Sequence, residues 1–366
     1  MKILIFNWRD LKHSWAGGGE IYIFELAKRW VKMGHEVTVF CSQDPYQTLP
    51  EEEIYDGIKV IRKGSRFSVY PFALINYLKN LRGKFDVLVD VENGIPFFTP
   101  IFSRIPKASF VYHVHKNQFF YELKPPISNV GFMTEKFLFP FLYRNTKIVA
   151  ISETTKKDLI NLGFKQRNIE IVYCGVNQAP EQKSIKKFSI PTLLYLGRIK
   201  SYKRVDLLFD IFKDVLKEVP DARLIIAGWG TEGAGLADRV LRSELRRKID
   251  ILGPVTESEK KNLLSKSWVF VNPSIGEGWS IAVIEANLYG TPAAAFNVPG
   301  LSESIKDKVT GILAKDREDL TKKIIKLLKN KNYREKLSEN AKNYAKTFSW
   351  DNAAKESIRI LEKLNG

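Results

Sequence analysis

A chain of 366 residues with 44% apolar side chains is long enough for two or three packed domains. No window approaches about 18 uninterrupted apolar residues, which argues against a spanning helix. The opening MKILIF runs straight into a strand pattern and lacks the apolar core and small-residue cleavage site of a secretion signal. Two distant cysteines, Cys41 and Cys174, make neither a disulfide framework nor a cysteine zinc site; reduced thiols in an intracellular protein are expected. The net charge of +17, from 58 Lys and Arg against 41 Asp and Glu, favours a polyanion, an anionic membrane surface or a phosphorylated small molecule. There is no zinc-finger spacing and no RNA-binding aromatic signature to single out nucleic acid. The basic run RVLRSELRRK at 239–248 reads most simply as a solvated helix face.

In chain order, Lys2–Phe6 is a short apolar strand and Glu20–Met33 has helical spacing, with Gly34 as its C-terminal cap. Glu36–Phe40 is the next strand, followed by strand candidates at 87–89, 109–112, 147–150 and 169–172. Ser152 is placed to cap a helix that stops at Gly163. The second half repeats the grammar. Strands are predicted at 192–196, 223–227, 249–252, 268–271 and 292–295, with helices at 205–219, 258–264 and 281–288 between them. Short apolar strands alternating with helices predict parallel sheets covered on both faces, hence two doubly wound α/β domains facing a cleft. The expected division is a first domain at 1–177, a polar linker at 178–190, a second domain at 191–346 and a C-terminal helix at 347–366 that is free to return to the first domain.

In doubly wound domains ligands sit beyond the carboxyl ends of the strands. WAGGGE, Trp15–Glu20, follows the first strand and opens the first helix, so Gly17 and Gly18 would let backbone amides approach an anion. They make neither a GxGxxG nor a GxxxxGK[ST] pattern, and a glycine run is also ordinary loop material. LGRIKSYKR opens the second domain with Arg198 and Lys203, a fork of donors and a compact ammonium suited to a diphosphate, or simply solvent-facing charge. Further on, the turn Gly276-Glu277-Gly278 runs into Trp279, Ser280 and an apolar helix that carries Glu285. Glu277 and Glu285 are eight residues apart, about 12 Å if wholly helical. That separation suits two grips on one extended ligand better than a hydrolytic pair about 5–9 Å apart. A turn residue and a helix-surface charge are the plainer alternatives.

These residues carry a recognisable pattern over almost the whole chain. Gly17-Gly18-x-Glu20 with FELAKRWVKMGHEVTVF, ISETTKKDLINLGF, LLYLGRIKSYKRVDLL, IAGWG at 226–230 and PSIGEGWSIAVIEANLYGTP resemble the retaining glycosyltransferases of family 4, which have the GT-B fold and an E-x7-E signature. The resemblance implies that Glu285 binds the nucleotide ribose. It implies that Glu277, with the backbone at Gly278, Trp279 and Ser280, holds the transferred sugar. Arg198, Lys203 and Gly228 would bind the diphosphate, and the Gly17–Gly18 loop would close over it. In FVYHVHKNQF, His115 matches the family histidine near the reacting sugar, and a histidine there can orient a hydroxyl without taking its proton. His113 lies beside it, on the same strand face or on the loop that follows.

The implied reaction moves a hexose, from a donor such as GDP-mannose or UDP-glucose, to a hydroxyl acceptor, without a metal or other cofactor and without nucleic acid. HVH could in principle hold a metal, but no third ligand is apparent. Cys174-Gly175-Val176-Asn177, Arg204, Trp229 and Trp279 depart from the family's usual residues, which weakens any reading of base or sugar. The aromatic stretch 117–143 offers three readings: core packing, an acceptor groove, or contact with the inner face of the cell membrane, which would suit lipid-linked or envelope sugars. Two other functions stay open, epimerisation of a nucleotide sugar and non-catalytic binding of one.

Overall fold

The computed structural model describes residues 1–177 and 186–366; most of the expected linker, 178–185, lies outside the described residues. Spatial contacts divide the chain into two compact units, Met1–Gly175 with Trp350–Gly366, and Val176–Ser349. Each is a doubly wound α/β layer structure.

The first unit holds eight strands: β1 (Lys2–Phe6), β2 (Glu36–Cys41), β3 (Glu52–Tyr55), β4 (Ile58–Arg62), β5 (Val87–Glu92), β6 (Lys107–Val111), β7 (Lys147–Ala150) and β8 (Ile169–Ile171), ordered β3-β4-β2-β1-β5-β6-β7-β8. Neighbours are parallel except at the edge, where β3 and β4 form an antiparallel hairpin. That hairpin is absent from the sequence reading, although its turn, Asp56-Gly57, has positive φ at both residues (52° and 77°), the signature of a twisted two-residue turn. All six residues of β5 are buried, as a strand covered on both faces requires.

The helix Gly18–Lys32 buries Tyr22, Phe24, Leu26 and Trp30 against one face of this sheet. The helix Trp350–Asn365 lies beside it. The indole N–H of Trp30 donates to the Ala354 carbonyl and to Ser357 Oγ, each at 3.2 Å. Gly34, with φ of 91°, ends the Gly18–Lys32 helix where a side chain would be strained. Ser152 Oγ accepts from the Thr155 amide at 3.0 Å and starts the helix Glu153–Asn161.

The opposite face of the sheet is covered by Val69–Leu81 and by the helical run 127–142. Register fixes this assignment. Leu4 pairs with Leu88, Asp90 with Ser109, and Val111 with Ala150, so these side chains share one face.

The second unit holds β9 (Thr192–Leu196), β10 (Arg223–Ala227), β11 (Ile249–Gly253), β12 (Val269–Asn272), β13 (Ala293–Phe296) and β14 (Gly311–Ala314), all parallel, ordered β11-β10-β9-β12-β13-β14. β14 is a strand the sequence reading left out. At Gly311 a Cβ would fall 2.4 Å from the Ala293 carbonyl oxygen, so this pairing needs a glycine. The chain leaves β9 to build β10 on one side and later β12 on the other. The carboxyl ends of β9 and β12 therefore form a topological switch point, where such sheets open a crevice.

Candidate functional site

Three loops of the second unit meet at that switch point. β9 ends in Gly197-Arg198, and a short 3-10 turn, Ser201–Lys203, follows. β10 ends in Gly228-Trp229-Gly230, and β12 leads through 273–280 into the helix Ile281–Leu288. Backbone bonds tie the loops together: Ile199 N–H donates to Trp229 (2.8 Å), Ile275 N–H to Tyr202 (3.1 Å), and Glu277 N–H to Pro299 (3.0 Å).

The glycines are steric necessities. A Cβ on Gly228, whose φ is +136°, would lie 1.9 Å from the Gly197 carbonyl oxygen. On Gly230 it would lie 2.0 Å from that of Ile199, and on Gly300 2.1 Å from that of Glu277.

On this floor Lys203 and Glu277 form a bidentate ion pair, Lys203 Nζ lying 2.6 Å from each carboxylate oxygen, with both side chains mostly buried. Asn272 Nδ2 donates to Glu277 Oε1 at 3.2 Å, and the single Ser274 hydroxyl proton is shared between Asn272 Oδ1 (2.6 Å) and Glu277 Oε1 (3.0 Å). Burial opposes protonation of Lys203, but the Glu277 charge outweighs it, so the ammonium titrates above its ordinary range. Arg198 Nη2 donates to Tyr202 Oη at 3.1 Å, while Tyr195 Oη donates to the Arg198 carbonyl at 2.7 Å.

Glu285 stands in the first turns of the helix Ile281–Leu288, which starts only at Ile281, leaving Glu277 in extended loop. Its Oε1 receives Lys260 Nζ at 2.9 Å, and Lys260 is shared with Glu257 at 2.9 Å. Burial pushes the Glu285 carboxyl up, Lys260 opposing. Among the described residues Oε2 of Glu285 receives no hydrogen bond, yet the side chain is 24% exposed, so this oxygen is available to a ligand hydroxyl. Trp279 packs its ring 5.2 Å from Phe348, and Ser280 Oγ lies 3.4 Å from Asn272 Nδ2. The loop Gly276–Ser280 is thereby anchored at both ends.

A second constellation lies in the first unit. β6 ends at Val111, so both His113 and His115 lie on the following loop, their rings 4.0 Å apart. Glu135, inside the helical run, clamps that loop: its two oxygens accept the amides of His115 (2.6 Å) and Lys116 (2.8 Å), and Oε1 lies 3.3 Å from His115 Nδ1. Glu92, at the end of β5, completes the group, accepting from the Gly94 amide at 2.7 Å. Burial pushes the Glu92 carboxyl up to about 8, the His115 charge opposing. Burial also works against a charged His115, but the two carboxyls raise it overall.

The sequence shows no third metal ligand beside HVH, but the fold supplies two candidates. Ligand atoms of Glu92, His115 and Glu135 all lie within 4.8 Å of one another. Gly17 and Gly18 sit at the start of the first helix, where Glu20 Oε2 accepts the Gly17 amide at 2.7 Å and Oε1 takes Arg9 Nε at 3.1 Å. The structure thus groups Arg198, Lys203, Gly228, Glu277, Gly278, Trp279, Ser280 and Glu285 in one unit, and Gly17, Gly18 and His115 in the other. Sequence reasoning missed Lys260, Asn272 and Ser274, which hold the two glutamates, and Glu92 and Glu135, which hold His115.

Two doubly wound sheets of this order, with cations and carboxylates at the strand ends of the second, make up the architecture of the GT-B fold. Comparison with known proteins agrees. Residues 16–179 match the model "Glycosyltransferase Family 4" and residues 176–344 match "Glycosyl transferases group 1". An uncharacterized glycosyltransferase of Methanocaldococcus jannaschii is 25% identical over 99% of this chain and 98% of its own. A D-inositol 3-phosphate glycosyltransferase of Thermobifida fusca is 25% identical over 92% and 86%. Among solved structures, sucrose-phosphate synthase from Thermosynechococcus elongatus superposes with a TM-score of 0.80 at 19% identity, covering 99% of this chain and 98% of that one. Anabaena HepE in complex with UDP-glucose gives 0.78 at 16% identity over 99% and 100%. The chain is a glycosyltransferase of the GT-B fold, related to family 4 and group 1.

Proposed function

We propose that this enzyme transfers a hexose, with retention of anomeric configuration, from a nucleoside diphosphate sugar to a hydroxyl of a saccharide, lipid-linked or envelope glycan. In this reading the unit Val176–Ser349 takes the donor and the unit containing 1–175 takes the acceptor, at the cytoplasmic face of a membrane that the protein touches without spanning. No helix among the described residues is long and apolar enough to cross a bilayer.

The observation that carries the proposal is the Lys203–Glu277 pair on a floor of obligatory glycines, with Glu285 on the adjoining helix. Arg198 and Lys203 meet the charge that grows on the departing diphosphate, and cations that bind it more strongly in the transition state lower the barrier. Those cations let the reading stand without a metal. Glu277 accepts from hydroxyls of the transferred sugar, Glu285 from the ribose diol, and His115 orients a sugar hydroxyl by hydrogen bonding. The Gly228 turn leaves backbone exposed to the diphosphate.

UDP-glucose, the ligand named with HepE, is the first donor to test, and GDP-mannose the second. A thermal-shift panel of nucleotides and nucleotide sugars should show selective stabilisation by one donor. Proton NMR of the glycoside made from that donor and an acceptor library should then show the donor's own anomeric configuration. An inverted product, an epimerised nucleotide sugar, or no stabilisation by any member of the panel overturns the proposal.

A further inference from the structure

Helices on a soluble protein usually turn their apolar side inward. The run 127–142 does the reverse. It is continuous through Ile127–Met133, Thr134–Leu138 and Phe139–Leu142. The side facing the protein carries Ser128, Gly131 and Glu135 along with Phe139, all buried. The outward side carries Ile127, Val130, Met133, Phe137, Leu138 and Phe141, each between 40% and 63% exposed. Their spacing of three and four residues makes one stripe, and side chains from Asn129 to Phe141 line a shallow apolar groove.

Within the stripe's own segment the exposed charge has one sign, with exposed Glu122 standing just before it at the end of the short helix Gln118–Glu122. Between Leu123 and Thr146 the charged residues are Lys124, Glu135, Lys136 and Arg144, and Glu135 is the buried clamp of the His115 loop. The exposed charges are all cationic. Lys136 Nζ lies 5.3 Å from the centre of the Phe137 ring, and the Arg144 guanidinium 5.5 Å from that of Phe141. Each cation thus rides on the stem of the apolar stripe and carries its charge at the rim.

A second outward strip, Phe72, Ile75 and Leu78, lies on the other helical segment covering the same sheet face, with exposed Lys79, Arg82 and Lys84 beside it. Gly57–Phe85 contains no acidic residue.

We propose that the outward face of 127–142 is a membrane-docking surface for anionic lipid, in which Phe137, Phe141 and their apolar neighbours enter the acyl boundary while Lys124, Lys136 and Arg144 engage headgroup phosphates. An apolar stripe rimmed by cations is the pattern of an in-plane interfacial helix, and each basic residue near an anionic leaflet adds to the attraction. The charge complementarity favours a lipid surface over a protein partner. The inference deepens the reading of a lipid-linked or envelope acceptor and rests on it only for its biological purpose.

The test is vesicle co-sedimentation of the full chain with phosphatidylcholine alone and with phosphatidylcholine containing phosphatidylglycerol. Wild type should partition at least tenfold better onto the anionic vesicles. The preference should shrink when salt shortens the Debye length from about 10 Å to about 3 Å. F137S/F141S should lose at least tenfold in partitioning, with an unchanged melting curve because both rings are exposed. K136E/R144E should lose the preference for anionic lipid. Equal sedimentation of wild type and F137S/F141S overturns the proposal. So does a lipid-free dimer that becomes monomeric in F137S/F141S, since a second copy would then own the face. Donor stabilisation measured in parallel separates the two ideas. A chain that binds vesicles but no nucleotide sugar supports the surface and overturns the proposed donor site.

Discussion

Replacing Glu285 by alanine tests the donor site where its geometry is most specific. The carboxylate has two oxygens: Oε1 is engaged by Lys260 at 2.9 Å, and Oε2 is the one that the proposal assigns to a ribose hydroxyl. A hydrogen bond to a charged group contributes about 1.5–3 kcal/mol. At about 1.36 kcal/mol per decade, its loss should weaken donor binding roughly 10- to 150-fold. Removing one partner of a buried ion pair often costs more in stability than it reveals about binding. Here that cost is limited, because Lys260 keeps Glu257 at 2.9 Å. Burial also holds the Glu285 carboxyl above its ordinary range, a desolvation cost that its removal relieves.

The expected signature is therefore a large rise in Kd with a small fall in Tm. Isothermal titration calorimetry with the nucleotide selected by the thermal-shift panel reads the first, and a melting curve the second. E285Q, which keeps the shape and one acceptor oxygen, should fall between wild type and alanine. An E285A protein that melts like wild type and binds the nucleotide with unchanged Kd refutes the ribose assignment.

Three further outcomes are expected. K203M should lower kcat by roughly 10²–10³-fold, the loss typical of removing one preorganised charge partner, with a smaller change in KM; single-turnover kinetics would expose an unaltered chemical step and sink the role. G228A should destabilise the second unit by about 2–4 kcal/mol in urea unfolding, because its new Cβ falls on the Gly197 carbonyl at a φ of +136°. E92Q should change the pH dependence of stability. Glu92 titrates near 8 in the fold, so wild type loses stability as pH rises from the unfolded carboxyl value through about 8, whereas the glutamine variant has no such loss. Melting curves at pH 5 and pH 9 should show the variant gaining on wild type at the higher pH.

What the sequence made legible is what is local. The first strand of each unit, the Ser152 cap and the helix 281–288 follow from periodicity and turn chemistry within a few residues. Arg198 and Lys203, and separately Glu277 and Glu285, were legible as candidates because each pair lies within one strand-end motif. Their supports were not. Lys260 reaches Glu285 from 25 residues away, and Glu135 reaches the His115 loop from 20. Nothing in a single chain's pattern announces such pairs.

The 127–142 run stayed open among core packing, acceptor groove and membrane contact for a different reason: periodicity alone does not say which side of a helix faces the sheet. Gly131 decides it: a Cβ there would lie 2.8 Å from the Phe119 ring, so the small residues take the packed side and the large apolar ones face out. The β3–β4 hairpin was hidden by its glutamates, which suit an exposed edge strand, although Asp56-Gly57 marked the turn.

If Lys203 serves the diphosphate, its ammonium is already neutralised within the fold, an apparent paradox. Both oxygens of Glu277 face Lys203 at 2.6 Å, so a diphosphate must compete for that ammonium. The pairing makes physical sense if Glu277 is the sugar's partner. A lone ammonium this deeply placed would tend to lose its proton, and Glu277 instead holds it charged before any donor arrives. Asn272 and Ser274 keep the carboxylate fixed, so it need not follow the lysine when a phosphate draws near. Sugar hydroxyls can then replace the ammonium as donors to Glu277 while the phosphate takes over Lys203. Such an exchange conserves charge pairing and grows more favourable as negative charge moves from the sugar bond to the leaving diphosphate. It also sets an order of sensitivities: removing Glu277 should harm the free protein's Lys203 as much as the bound sugar. E277Q, which keeps the hydrogen-bonding shape without the charge, is therefore the variant that separates the two roles.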